Sequence, residues 1–407
     1  MWLKCKKDYF CVMRKIYTVL VMILVVLSSC QPEFTKEEQA QLEQALSKAG
    51  GNKVELEKAL EQAPEAHRKA VWFLIANMPE RDLTSLTADF ILENTKVAYQ
   101  AREQFAWCKS LPDSLFFNDV LPYVSLNERR DNWRQDFLDR FTPLVADCAN
   151  GFDVVDSVTQ NINEVVKVEY NTKRRKADQS PYESMEQGMA SCTGLSVLLT
   201  DALRAVGIPA RIAGTPLWTN MRGNHSWVEV YLDGEWYFTE YYPDELNKSW
   251  FLADAGKADP ENPIHGIYAT SFKKTDLSYP CVWDESIEYI PAVNVTDRYI
   301  RLYQEQVMNT ALEADELMVD FVVYKNEDTA KGDNRVSDRV EVWQGDKNID
   351  FGYSPSTIDD LNKFLKFKLK KNSDYTVRYA DGKGGQLEEK IKTGEKAELV
   401  KLYQESL

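Results

Sequence analysis

The stretch HSWVEVYLDGEWYFTEYY, residues 225–242, restricts the fold of this chain more than any other. Two runs of alternating apolar and polar residues flank Asp233-Gly234, a dipeptide that supplies the positive φ angles of a two-residue hairpin turn. Such a turn fixes the register, with Leu232 opposite Glu235, Trp227 opposite Glu240 and His225 opposite Tyr242. Opposed side chains share a face of the ladder, as do alternate residues along each strand. His225, Trp227, Glu240 and Tyr242 are therefore expected on one face, with Val228, Val230 and Leu232 on the other, toward a core. Glu240 is a diagonal neighbour of His225, within reach of a long side chain. One hairpin thus offers a base and an acid to orient it.

A nucleophile for that base lies upstream. In SCTGLSVLLTDALRAVGIPARIAG (residues 191–214), Leu195, Leu198, Leu199, Ala202, Leu203 and Val206 follow helical spacing, and Gly207 and Pro209 mark the stop. Ser191 suits the N-cap, which places Cys192 in the first turn, where free N–H groups and the helix dipole favour a thiolate. The chain has 3 histidines. His67 lies on a charged helical segment and His265 in the loop PENPIHGIY, so His225 is the candidate partner.

These two segments together resemble the transglutaminase-like superfamily, in which a cysteine at a helix start, a histidine at a strand start and an acid on the next strand act together on a papain-like fold. The resemblance implies Cys192 as nucleophile, His225 as general base and acid, and Glu240 as the orienting acid, where the family usually has aspartate. It also implies an oxyanion hole formed by the Cys192 N–H, with Gln187 resembling the glutamine of papain-like enzymes. Trp218, in the loop GTPLWTNMRGN (residues 214–224), together with Trp227 and Tyr242, is a candidate for the substrate cleft. The chemistry implied is acyl transfer at an amide, with no cofactor and no metal.

Around this core the pattern changes. Residues 31–177 read as helical: in NKVELEKALEQAPEAHRKAVWFLIANMP, Val54, Leu56, Leu60, Ala63, Val71, Leu74 and Ile75 recur near the helical period. Trp72, Trp107, Phe116, Tyr123 and Trp133 are read as helix-packing core. Residues 178–290 read as the mixed core. Residues 291–407 read as short alternating strands, such as ELMVDFVVY, DRVEVWQG and AELVKLYQ, separated by turn signals, which suggests an Ig-like β-sandwich. The expected class is α+β and multidomain. At 407 residues, 44% of them hydrophobic, the chain is long enough for such a division.

Residues 1–30 are expected to be a leader. Arg14 and Lys15 precede an apolar run from Ile16 to Leu27, too short for a comfortable membrane span. LSSC resembles the lipobox of bacterial lipoproteins, which implies acylation at Cys30 and attachment to the outer or cytoplasmic membrane in the cell envelope. Cys108, Cys148, Cys192 and Cys281 are too widely spaced for a disulfide framework, and no CxxC pair announces a structural zinc site. Cys108 and Cys148 remain a possible pair. A net charge of −15 argues against nucleic acid, and KRRK (residues 173–176) reads as a solvated loop.

The functional expectation is an extracytoplasmic peptidase or amidase acting on peptide, protein or peptidoglycan amides. Two alternatives stand beside it: a non-catalytic lipoprotein that binds glycan or peptide on a degenerate core, and a protein-crosslinking transglutaminase.

Overall fold

The computed structural model describes residues 34–405 apart from 244, 309–311 and 328–333. The leader and Cys30 lie outside the described residues. Nine α-helices precede the first strand among the described residues: α1 (Lys36–Lys48), α2 (Lys53–Gln62), α3 (Glu65–Asn77), α4 (Glu80–Leu83), α5 (Ala88–Gln104), α6 (Ala106–Lys109), α7 (Asp113–Asp119), α8 (Arg134–Val145) and α9 (Gly151–Val166). Their starts follow local chemistry. Thr35 and Glu38 form a reciprocal capping box on α1, and the Asn150 side chain accepts from Phe152 N and Asp153 N at α9. Among the described residues, no helix is long and apolar enough to cross a membrane.

Next come β1 (Glu169–Tyr170), α10 (Pro181–Gln187), β2 (Met189–Ala190) and α11 (Cys192–Ala205). The parallel pairing of β1 with β2 seats the chain immediately before Cys192. Every residue of α11 from Thr193 to Ala205 is buried. The helix stops at Gly207, whose φ of +80° suits glycine, and a Cβ there would lie 2.6 Å from Cys108 Cβ.

After α11 run β3 (Ala210–Thr215), β4 (His225–Leu232), β5 (Glu235–Thr239), α12 (Leu252–Ala255), β6 (Tyr268–Thr270), β7 (Leu277–Ser278) and β8 (Pro291–Asn294). These strands form one six-stranded antiparallel sheet in the order β5-β4-β3-β6-β8-β7. The hairpin register is the expected one, with Leu232 opposite Glu235 and Val228 opposite Thr239. Asp233 and Gly234 both have positive φ, at 47° and 98°. Val228, Val230 and Leu232 join an apolar cluster that also takes in α11 and residues of the preceding helices as far back as Ala45. One core thus backs both the helical region and the sheet. Trp227 on the opposite face joins Trp218, Phe238, Phe251 and Tyr299 in a second cluster.

Residues 291–407 read as strands with little helical periodicity, but α13 (Thr296–Met308) follows β8. It supplies Tyr299 to the second cluster, and its Tyr299 hydroxyl accepts from Trp227 Nε1.

Beyond it lie β9 (Glu316–Asn326), β10 (Arg339–Gln344), β11 (Lys347–Tyr353), β12 (Leu365–Lys370), β13 (Asp374–Ala380), β14 (Gln386–Lys392) and β15 (Leu399–Glu405). They form a four-stranded sheet, β11-β10-β13-β14, and a three-stranded sheet, β12-β9-β15. Phe321, Val342, Phe367, Val377 and Leu402, drawn from both sheets, share one apolar cluster. The four described cysteines are free; Cys108 and Cys148 are not paired.

Arg204 ties the last turn of α11 to the helical region. Its Nε donates to Ala210 O (2.9 Å) and Asp119 O (3.2 Å), and its Nη1 to Val124 O (3.1 Å) and Ser125 Oγ (3.2 Å). Buried acceptors that lose their donor are costly. Arg204→Met is therefore expected to lower stability by about 3–5 kcal/mol, measured as a reduced urea midpoint. A loss below about 1 kcal/mol would show that this cage contributes little.

Candidate active site

Cys192 opens α11 and is partly exposed, while the buried helix behind it holds its backbone in place. The Ser191 hydroxyl accepts from Gly194 N as N-cap and donates to Ala177 O at 2.8 Å. N–H groups in a first helical turn have no partner within their own helix, and here they lie beside the thiol. His225 opens β4 and is 2% exposed. Trp250, Phe251 and Trp227 surround its ring at centroid distances of 4.9, 5.2 and 5.7 Å.

The ladder ends at Thr239, one residue before Glu240. Neither Trp227–Glu240 nor His225–Tyr242 is a ladder pair, yet the carboxylate still arrives. His225 Nε2 donates to Glu240 Oε1 at 2.7 Å, and Ser249 Oγ donates to the other Glu240 oxygen. The chain beyond is held by Tyr241, whose hydroxyl donates to Val168 O (2.8 Å), and by Tyr242, whose hydroxyl accepts from Tyr170 N (3.2 Å).

A further carboxylate comes from the C-terminal strands. Asp360, in the loop between β11 and β12, places Oδ2 3.5 Å from His225 Nδ1. The Cys192 thiol, an imidazole nitrogen of His225 and a carboxylate oxygen of Asp360 lie within 4.8 Å of one another. Asp360 Oδ1 accepts from Asn362 N (2.9 Å) and Asn362 Nδ2 (3.1 Å). The loop is fastened to the core where Leu361 N donates to the Tyr170 hydroxyl (3.4 Å) and Asn362 Nδ2 to Asn224 O (3.1 Å). Arg335 braces it from behind through Asp360 O (2.8 Å) and Lys363 O (3.3 Å). An Arg222–Asp320 ion pair adds a second tie.

Nothing near residues 359–360 marks this role in the sequence. An acidic pair among Ser, Thr and Asn looks like any solvated turn.

Two cavities, of about 300 and about 370 Å³, share Tyr170, Cys192 and Asp360 in their walls. Trp227 and Tyr242 line the first, and the loop residues Arg222, Gly223 and Asn224 line the second. Trp218 lines neither: it is buried and stacked on Trp227 and Phe251, which places it in the core behind the cleft. Gln187 also stands apart. Its Nε2 donates to Glu183 O and its Oε1 accepts from Arg175 N, and it lines neither cavity. In the basic run, Lys173, Arg175 and Lys176 are exposed, while Arg174 turns toward the second cavity.

Burial opposes a charged imidazole at His225. The Asp360 carboxylate, Cys192 and Glu240 outweigh it and hold its pKa well above the ordinary value. Burial likewise opposes ionisation of Asp360, but His225 and the Asn362 N–H hold its carboxyl below the usual range. The stabilisation linked to His225 is therefore complete below the unfolded value of about 6.5 and is lost as pH rises through the raised folded value. That linked to Asp360 is present above its unfolded value of about 3.9 and is lost as pH falls through the lowered one. In thermal melts, Asp360→Asn should lower Tm most between about pH 4 and 6.5, and the gap should narrow as pH rises. A gap independent of pH would contradict this pairing.

No curated protein matches the chain. Among solved structures, a protein described as "a Putative Cysteine Protease from Cytophaga hutchinsonii" is 18% identical, with a TM-score of 0.27; the match covers 35% of this chain and 47% of that one. A red sea bream transglutaminase is 10% identical, with a TM-score of 0.26 and coverage of 64% and 57%. A structure described as a TGase is 16% identical, with a TM-score of 0.23 and coverage of 26% and 31%. The chain thus spans less than two thirds of each of these proteins, and overlaps this slight do not bear on activity. Residues 142–241 match the model of the transglutaminase-like superfamily, a stretch that takes in Cys192, His225 and Glu240 and ends well before Asp360.

Proposed function

We propose that the protein is an extracytoplasmic thiol hydrolase, a peptidase or amidase that works by acyl transfer through Cys192, His225 and Glu240. One observation carries this reading: the 2.7 Å bond from His225 Nε2 to Glu240, on the same ring that the Cys192 thiol approaches. Glu240 is read as doing the orienting work usually given to aspartate: β5 ends at Thr239, and the Glu240 carboxylate still reaches His225 Nε2.

With Nε2 committed to Glu240, Nδ1 is the nitrogen left to accept the thiol proton. The thiolate adds to the amide carbonyl carbon, and the oxyanion forms beside the first-turn N–H groups of α11. The imidazolium then gives its proton to the departing amine as the C–N bond breaks, leaving a thioester. Water, deprotonated by His225, releases the acid and frees the thiol.

The amide is read as that of a peptide, a protein or peptidoglycan, and the lipobox-like leader as an anchor at Cys30 in the cell envelope. The C-terminal strands are read as a β-sandwich carrying the loop that reaches the site. A non-catalytic binding role remains the second reading, and the Asp360 carboxylate beside Nδ1 is what favours it.

Two measurements separate these readings. First, Cys192 alkylation by iodoacetamide and release of new amino termini from peptide and peptidoglycan substrates are compared across variants. Cys192→Ala should abolish release, His225→Ala should lower kcat by about 10²–10⁴-fold, and Glu240→Gln should fall between wild type and His225→Ala. Equal alkylation in wild type and His225→Ala, with no release by either, would leave binding as the function. Incorporation of a labelled primary amine into protein glutamines, without new termini, would indicate crosslinking instead. Second, Cys30→Ser should move the protein from the membrane fraction to the soluble fraction in its native host; an unchanged distribution would remove the lipid anchor.

A further inference from the structure

A nucleophile, a base and an orienting acid require one carboxylate, but the His225 ring has two. Glu240 occupies Nε2, and Asp360 Oδ2 stands 3.5 Å from Nδ1, on the side of the ring the thiol needs. A catalytic triad gives no reason for this second acid. It completes a different set: a thiol sulfur, an imidazole nitrogen and a carboxylate oxygen, all within 4.8 Å of one another. Nδ1 is buried and makes no hydrogen bond.

The separation of the nitrogen and oxygen ligands already suits a small divalent cation, with the sulfur within 4.8 Å of both. Zinc bonds of about 2.0–2.3 Å in a tetrahedron set neighbouring ligand atoms roughly 3.3–3.8 Å apart, and the Nδ1–Oδ2 distance of 3.5 Å lies within that range. The surrounding shell is also in place. A histidine ligand commonly donates its other N–H to a carboxylate, as His225 does to Glu240 at 2.7 Å. Asn362 fixes the remaining Asp360 oxygen, and Arg335 fixes the backbone behind it.

Cys192, His225 and Asp360 all line the cavity of about 300 Å³, which leaves room for a fourth ligand. The mixed sulfur, nitrogen and oxygen set favours zinc's class over calcium or magnesium, which take oxygen ligands. Three protein ligands leave a fourth position for water, unlike the four protein ligands of closed structural zinc sites.

We propose that Cys192, His225 and Asp360 bind a divalent cation of zinc's class, which withdraws the thiol from nucleophilic attack and clamps the β11–β12 loop onto the core. On binding, the Cys192 S–H bond breaks and the His225 imidazolium gives up its Nδ1 proton; both protons pass to solvent as sulfur–metal and nitrogen–metal bonds form, with no change in oxidation state. A water completes the coordination. The inhibitory role of the metal rests on the hydrolase reading, whereas its binding to the three side chains does not.

The test uses the full chain, stripped of metal by a chelator and titrated with Co²⁺ and then Zn²⁺. The expected results are a thiolate-to-cobalt charge-transfer band with tetrahedral d–d absorption, displacement of Co²⁺ by Zn²⁺, and protection of Cys192 from iodoacetamide that the chelator reverses. Asp360→Ala should weaken Zn²⁺ protection at least tenfold, and Cys192→Ala should remove the charge-transfer band. Ile358→Ala, at an exposed position of the same loop and outside the ligand set, should match wild type, and circular dichroism confirms that each variant is folded.

Absence of the thiolate band in wild type, or equal Zn²⁺ protection in wild type and Asp360→Ala, would overturn the site. Metal-free protein that cleaves amides and is unaffected by Zn²⁺ would overturn the site and leave the hydrolase standing. Protein that binds Co²⁺ through the thiolate but cleaves nothing when metal-free would do the reverse.

Discussion

The geometry of the site depends on the immobility of helix α11. A helix whose residues from Thr193 to Ala205 are all buried cannot slide or roll without opening cavities on every side. Its far end is fixed by polar contacts as well. Arg204 fills a cage of carbonyls, and Arg134 shares part of that cage through Pro122 O and Leu121 O, while its Nε donates to Asn94 in the helical region. The N-terminal helices therefore hold one end of α11, and the other end presents Cys192. A helical region fused to a thiol core gains a physical role from this: it is the surface against which the helix is clamped.

The strand carrying His225 is held by different means. One face of β4 packs on α11 through Val228, Val230 and Leu232. On the other, Glu229 is fully buried and accepts from Arg211 Nε (2.8 Å) and the Tyr299 hydroxyl (2.9 Å), with Arg298 as a further partner. A buried carboxylate needs such company, since an unpaired charge in this setting would be very costly. Tyr299 also binds Trp227, so the face that carries His225 is cross-braced from α13. Helix and strand thus meet with little freedom at the point where sulfur approaches imidazole.

Much of this was legible in the sequence because it is written in local patterns. Asp233-Gly234 set the hairpin register as far as Val228 and Thr239, and Glu240, one residue beyond the ladder, still meets His225. The Ser191 cap and the Gly207 stop bounded α11 at both ends. What escaped the sequence reading depends on contacts between distant segments. Trp218 sits near glycines in a loop and looks exposed, but Trp227 and Phe251 offer it a stacking site that no local pattern reveals. Gln187 lies five residues before the cysteine but satisfies its amide within its own neighbourhood. Helix α13 was missed although it carries Tyr299 into the core. Asp360 was the least visible, since it reaches the site only because β11 and β12 deliver their loop across more than a hundred residues of intervening chain.

The arrival of Asp360 from outside the family-matched stretch bears on how the protein can be dissected. A fragment ending after α13 would keep the helix, the sheet and Glu240, yet its histidine would face one acid instead of two, and Arg222 would lose Asp320. The polar groups that now meet the loop, the Tyr170 hydroxyl and Asn224 carbonyl, would turn to water. Such a fragment would be a chemically distinct centre, with its own proton affinity and its own access route. The surroundings of His225 are assembled by tertiary docking between segments far apart in the sequence.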